Sequence, residues 1–333
     1  MKILYLIIVL VISMLLYQSS LAYSGQIIGW GNNIAGQATG VQNGQYTNGV
    51  VVVNGRVLTN AVAISGGFSH GLALLSNGTV FGWGSNLAGQ IMSVLSDNTN
   101  GPVMINGKDL SNIVAISAGA RHSLALKADG NVVAWGDNSE GEATIPAGLS
   151  NVVAIAAGSD YNLALRKDGT VVGWGMTRSP VELSNIVAIA ASDVWGSGDL
   201  ALKQDGTVLE WDNRNGQPIM LSGVSNIVAI AAGSRHGLLL TKDKTVIGVG
   251  GHPGGFGEAN IPPGLTNMVA IAAGNEFSLA LKDDGSVMLW GRNPYHRMDV
   301  PEGLSNVVAI AAGDNFCLAI TTNNAVAEKF RQK

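Results

Sequence analysis

Charge is scarce in this chain. Asp, Glu, Lys and Arg make up 13% of its 333 residues, against about 25% in ordinary soluble domains. Disorder needs high charge and low hydrophobicity, and here hydrophobic residues reach 47%, so a disordered chain is excluded. A net charge of -4 offers no basic face to nucleic acid or to an anionic membrane, and neither is expected as a partner. Cysteine occurs once, at Cys317, which excludes an internal disulfide and a cysteine zinc cluster. Glycine is plentiful at 45 residues, yet it has no Gly-X-Y period, so it signals tight turns and not collagen.

Long apolar runs are missing except at the start. Lys2 precedes an apolar stretch over residues 3–17, and Ser20 and Ala22 occupy the small-residue places of a cleavage site. This pattern predicts a secretory signal over residues 1–22, cut after Ala22, and a single exported domain over 23–333. The apolar stretch is short of the roughly 20 residues that a membrane anchor needs, no cysteine follows it for lipidation, and no later span is expected.

The remainder is one repeat. The segment Asn151-Val-Val-Ala-Ile-Ala-Ala-Gly158 recurs with its Ile at 64, 116, 155, 189, 230, 271 and 310. A Leu-Ala-Leu-like run follows each copy, then a turn, then a strand ending in Trp-Gly, marked by Trp30, Trp83, Trp135, Trp174, Trp211, Val249 and Trp290. Self-similarity at roughly 40 residues means a solenoid or a propeller. Short β-branched runs bounded by Asn and Gly read as strands. Asp129-Gly130, Asp168-Gly169, Asp205-Gly206 and Asp284-Gly285 read as two-residue hairpin turns with positive φ at both positions. A fourth, outer strand is expected at residues 143–146 and 259–262, where Pro suits an edge. The expected fold class is all-β: a seven-bladed β-propeller of four-stranded antiparallel blades. Ring closure is expected from residues 26–31 pairing with Phe316–Thr321 in the last blade, with residues 325–330 as a local rival.

The run from Asn112 to Gly136, with Ala118-Gly-Ala-Arg-His-Ser-Leu-Ala-Leu-Lys-Ala-Asp-Gly130 at its centre, resembles the repeat of the regulator of chromosome condensation family. The resemblance covers the mature chain and implies a seven-bladed propeller. Blades ending as in Trp135-Gly-Asp-Asn-Ser-Glu-Gly-Glu-Ala-Thr-Ile-Pro146 are most similar in style to a compact secreted bacterial branch that includes β-lactamase-inhibitory propellers. The inserts at residues 37–60 and 90–110 depart from that branch, as do Arg178, Asp212 and Val249.

In such a meander the loops after Ala-Gly and after Trp-Gly share one end, and they vary strongly. The Asp-Gly turns and the crossovers share the other end, and they are nearly uniform. Varied loops on a rigid frame point to a binding face. Its candidate partner-binding residues are Phe68, Arg121, Asp160, Trp195, Arg235 and Glu276 in the first loop set and Asp137 and Tyr295 in the second. Arg121, Asp160, Trp195, Arg235 and Glu276 are expected to be exposed on that end. The aromatic series His70, His122, Tyr161, Trp195, His236, Phe277 and Phe316 reads as internal packing, and Cys317 as a small packed residue. The histidines fall in different blades and not in a ligand cluster. The glycine-rich stretch 248–257 lacks the Gly-Lys-Ser/Thr ending of a phosphate loop. No catalytic residue, metal or cofactor is therefore expected. The function read from the sequence is an exported, monomeric, non-catalytic module that docks a protein, with glycan binding by exposed aromatics as the alternative. Nucleotide exchange, the activity of the family's namesake, is set aside because an exported chain would not meet cytosolic GTPases.

Overall fold

The computed structural model describes residues 24–42, 44, 46–92, 100–105, 107–176, 183–192, 198–211, 217–251, 255–293 and 298–322. The chain is all-β, and every ladder is antiparallel. Among the described residues there are three four-stranded sheets, four three-stranded sheets and two short two-stranded ribbons. We number the larger sheets by their inner strands: Ala61–Gly66 (first), Ile113–Ala118 (second), Val152–Ala157 (third), Ile186–Ala190 (fourth), Ile227–Ala232 (fifth), Met268–Ala273 (sixth) and Val307–Ala312 (seventh). The seventh takes its third strand from the start of the chain. Gln26–Asn32 pairs with Phe316–Thr321, Trp30 lying opposite Cys317. The rival residues 325–330 lie outside the described residues. Each inner strand packs on that of the next sheet, and Val307–Ala312 packs on Ala61–Gly66.

Both faces of each sheet are buried, which is why the strands read as nearly continuous apolar runs. In His122–Lys127, Leu124 and Leu126 join Trp174 at the junction with the third sheet, while Ala125 joins Trp135 at the junction with the first. Small residues beside the indole make room for it. A Cβ on Gly71 would lie 2.4 Å from the ring of Trp83.

Two expectations need correction. Residues 143–146 and 259–262 are turn and coil, not outer strands. The segment after Trp-Gly is held by side chains in place of a ladder. Asn33 Oδ1 accepts from Ala38 N and Thr39 N, Asn86 Oδ1 from Ile91 N, and Asn138 Oδ1 from Ala143 N. The Asp-Gly turns differ too. Only Gly has positive φ, 82° at Gly130. The carbonyl of Lys127 accepts from Gly130 N, and Asp129 Oδ1 accepts from Asn131 N. Asp129 itself has no positive φ, and the glycine alone takes the left-handed position that closes the turn. Outside the glycines, the residues with φ of 51–62° are asparagines and Lys244, which takes the glycine's place in its turn; Asn112 and Asn151 stand at the entry to an inner strand.

Candidate functional site: the loop end

At one end of the sheets a repeated backbone bond ties the two loop sets together. The residue after Trp-Gly donates its N–H to the carbonyl of the second residue in the loop between the first two strands. The pairs are Ser85 to Ser69, Asp137 to Arg121, Met176 to Asp160, Gly251 to Arg235, Arg292 to Glu276 and Asn32 to Asn315, at 2.7–3.0 Å. The candidate residues Arg121, Asp137, Asp160, Arg235 and Glu276 are thereby brought to one end, on a backbone with its polar groups satisfied. Arg121 and Arg235 are exposed, whereas Asp137 and Asp160 are half-buried. Glu276 corrects the expectation of exposure. Its side chain is 14% exposed because Arg235 and Arg292 close on it, at 3.7 and 2.5 Å. Arg292 also lies over the ring of Phe256, 4.9 Å from its centroid. Phe68 is exposed. Trp195 and Tyr295 lie outside the described residues.

Below this surface the six described members of the aromatic series are buried, as expected, but the bonds of its polar members run between sheets and not within them. Ser123 Oγ donates to Gln90 O (2.8 Å), so His70 Nε2 is the donor in its 2.9 Å bond to that hydroxyl. His122 Nε2 donates to Asn162 Oδ1 (2.7 Å), and Asn162 Nδ2 donates to Glu142 O (2.8 Å). His236 bonds Ser278, which donates to Glu258 O. Tyr161 Oη donates to Asp199 Oδ1. By register, the position equivalent to Ser123 is held by Cys317 for Phe277, by Gly71 for Phe316 and by Gly237 for the fourth sheet, and Phe277 shares a core cluster with Cys317. Polar rings thus meet polar partners and apolar rings meet apolar ones. The register also corrects the alignment of Trp195 with the aromatic series. Asp199 lies opposite Trp211 as Ser123 lies opposite Trp135, so the aromatic slot of the fourth sheet is held by Gly198.

These rings lie on glycine. A Cβ at Gly119 would fall 2.3 Å from His122 Cε1 and 2.6 Å from the Gly158 carbonyl of the next sheet. The Nδ1 atoms of His70, His122 and His236 have no hydrogen-bond partner. Burial without an acceptor disfavours the imidazolium. It pushes His70 down to about 3 and His236 to about 4, and it lowers His122.

The Trp-Gly marker has a cause that sequence reading missed. Five of the six marker indoles donate their N–H to a turn carbonyl of the preceding sheet: Trp83 to Gln37, Trp135 to Gln90, Trp174 to Glu142, Trp290 to Glu258 and Trp30 to Met298, at 2.8–3.1 Å, whereas the buried Nε1 of Trp211 has no hydrogen-bond partner among the described residues. Val249 makes no such bond. Trp135→Phe keeps most of the packing and removes one buried hydrogen bond. We expect a loss of about 1 kcal/mol, read as a lower melting temperature. An unchanged melting temperature would show that the bond contributes nothing.

The loop end also opens on a cavity of about 160 Å³ where the inner strands end. Its rim is the first loop position of six of the seven sheets: Phe68, Ala120, Ser159, Ser234, Asn275 and Asp314. Sequence reading took only Phe68 from this series. The signal available was the freedom with which the position changes chemistry. Among the described residues, no three or more His, Cys, Asp or Glu side chains come together as a metal site, and no helix is long and apolar enough to cross a membrane. The signal expected at residues 1–22 lies outside the described residues.

Two family models of the regulator of chromosome condensation (RCC1) repeat match the chain, one over residues 61–90, 113–142, 152–178 and 268–297, the other over 77–126. With the structural neighbours, they support an RCC1-type repeat propeller. Prp20p from Saccharomyces cerevisiae superposes with a TM-score of 0.70 at 19% identity, over 95% of this chain and 97% of that one. Human WBSCR16 superposes with a TM-score of 0.69 at 16% identity, over 90% of this chain and 100% of that one. Such identities show the fold alone. The ultraviolet-B receptor UVR8 of Arabidopsis thaliana is 33% identical over 128 residues, 38% of this chain and 28% of the receptor. The secretion-regulating guanine nucleotide exchange factor of Bos taurus is 30% identical over 129 residues, 37% of this chain and 28% of that protein. The chain spans under a third of the length of the curated relatives it matches.

Proposed function

We propose that this chain is an exported, non-catalytic, seven-bladed propeller whose loop end docks a partner protein. The observation that carries the reading is the repeated bond that fixes both loop sets while their side chains change from sheet to sheet. The opposite end repeats Asp-Gly turns and αL asparagines with little change. A rigid frame with varied side chains costs little ordering entropy on binding. Seven blades closed by the N-terminal strand are supported by the seven inner strands and by the pairing of Gln26–Asn32 with Phe316–Thr321. Export is supported by the residue pattern of positions 1–22. Protein binding is in keeping with the neighbours: Prp20p was characterised for binding Gsp1p and histones, and another structure holds Kap60 on yeast RCC1. The partner's identity, including the β-lactamase that the secreted bacterial branch would suggest, is a matter for the same experiment.

The immobilised chain is exposed to envelope and culture-supernatant proteins, beside a glycan array. Proteins retained by the native chain should be lost when Arg121→Glu and Arg235→Glu are combined, and kept when Asp129→Asn and Asp284→Asn are combined. Rim charges act mainly on association rate, so the first pair should slow binding roughly tenfold and more steeply at low salt. Loss in the second pair alone would place binding at the other end, and retention of glycans without proteins would replace the protein reading. N-terminal sequencing of the exported chain should begin at Tyr23, and recovery of an intact Met1 chain in the membrane fraction would overturn the cleaved signal.

A further inference from the structure

We propose that the axial mouth of the loop end accepts a single Lys or Arg side chain presented by the partner protein, an inference that rests on the loop-end reading above. Three features converge there. The cavity of about 160 Å³ has room for about ten waters, which suits one extended side chain and not a folded segment. Asp314 is the only charged side chain that lines it among the described residues. Phe68 lies on the same rim, 56% exposed, and Asp314 N donates to the carbonyl of its neighbour Gly67. A carboxylate, which also accepts from Asn315 Nδ2, and an exposed ring on neighbouring rim positions are the groups that receive a cation with an aliphatic stem. The charge meets Asp314, the ring face takes the cation, and the stem covers apolar surface.

The rest of the end fits this polarity. The arginines of the fifth and sixth sheets, Arg235 and Arg292, are drawn to Glu276. The stacking of Arg292 over Phe256 shows a guanidinium on a ring at this same end. Outside the rim, Ile34 and Leu87 are exposed on the turns flanking Phe68. Their turns adjoin it: Gly84 approaches both Ser69 O and Gln37 Cα, and Ser85 N bonds Ser69 O. The partner segment is therefore a basic residue with apolar neighbours. An acidic peptide would meet Asp314 with like charge.

The chain supplies its own controls. Asn275 holds the rim position of Asp314 in the sixth sheet, and Ala120 holds that of Phe68 in the second. Asp314→Asn and Phe68→Ala should therefore fold with unchanged melting temperatures. Should either fail to fold, Asp314→Ser and Phe68→Ser copy Ser159 and Ser234 in the same position.

Cyclic peptides displayed on phage are selected on the immobilised native chain and measured by calorimetry. The expected binders share an Arg or Lys beside an apolar residue. Asp314→Asn should weaken them at least tenfold and Phe68→Ala about fivefold. Replacing the basic residue of the peptide by Gln should cost the same as Asp314→Asn, and the two losses should not add. Binders without a basic residue, or binders indifferent to Asp314→Asn, overturn the site. If those binders are instead weakened by Arg121→Ala or Arg235→Ala, the loop-end reading stands without it. If they are weakened only by Asp129→Asn or Asp284→Asn, both readings fail.

Discussion

A chain begun at Asn32, without residues 24–31, should fail to give a stable fold. Gln26–Asn32 places Ile27, Ile28 and Trp30 at 0–1% exposure, and it supplies the ladder partner of Phe316–Thr321. Burial of a large apolar side chain contributes roughly 1.5–3 kcal/mol, so three of them approach the whole stability of an ordinary protein, about 5–15 kcal/mol. The loss also strips the apolar strand Phe316–Thr321 to an edge, which invites association between chains. Circular dichroism should show a lost or sharply lowered transition, and light scattering should show aggregates. Adding the missing segment back as a peptide should restore part of the transition. A melting temperature equal to that of the full chain would mean that residues 325–330 fill the gap.

Mild acid should destabilise the protein in a window set by histidine. The buried imidazoles titrate at about 3 for His70 and about 4 for His236 when folded, and near 6.5 when unfolded. The unfolded chain thus binds more protons over this range, and its population gains as pH falls. The stabilising contribution is complete above pH 6.5 and fades from there down to the folded values. The loss is on the order of 5 kcal/mol between pH 6.5 and 4. The turn carboxylates Asp129, Asp168, Asp205 and Asp284 are lowered by hydrogen bonds, chiefly to the residue two places on. Their contribution is present above the usual carboxylate range and fades only below it, so the two windows separate. Denaturant titrations at pH 7, 5.5 and 4 read the first window. His236→Phe combined with Ser278→Cys copies the native pair Phe277–Cys317. That variant should fold and lose part of the acid response, while His236→Phe alone should be weaker at pH 7. A flat stability between pH 7 and 4 in the native chain would rule out the histidine account.

The strands were legible because alternation and β-branching are local properties, and the period because it repeats. Leu124, Ala125 and Leu126 announce a strand buried on both faces without any knowledge of what lies beyond it. The partners across a junction were not legible. His70 and Ser123 are 53 residues apart, and nothing near either names the other. For the same reason the indoles served as markers before their acceptors at Gln90 or Glu142 could be known. The outer strands were misread because Pro146 and Pro262 suit an edge. The Asn side chains that replace the ladder act over five or six residues, a range that alternation does not sense. The slot of Trp195 was misplaced because counting from the preceding small residue ignores the longer loop, whereas the ladder to Trp211 fixes the register. At the loop end, the variation of the second position was visible in the sequence, but the capture of Glu276 between two arginines depends on three segments meeting.

The strand Gln26–Asn32 can pair early with Tyr46–Val50 along one edge, but its other edge waits for Phe316–Thr321, far along the chain. At about 5–20 residues per second of synthesis, its partner follows roughly a quarter-minute to a minute later. Throughout that time Ile28 and Trp30 lack Cys317 and Ala319, and Ile27 lacks Leu318 and Ile320, with which they share their cores, so the early sheets can form in order while this one remains incomplete. Birth order therefore makes completion of this sheet a late event, and a truncated product of translation is recognisable to a cell's proteases by the strand edge it leaves open.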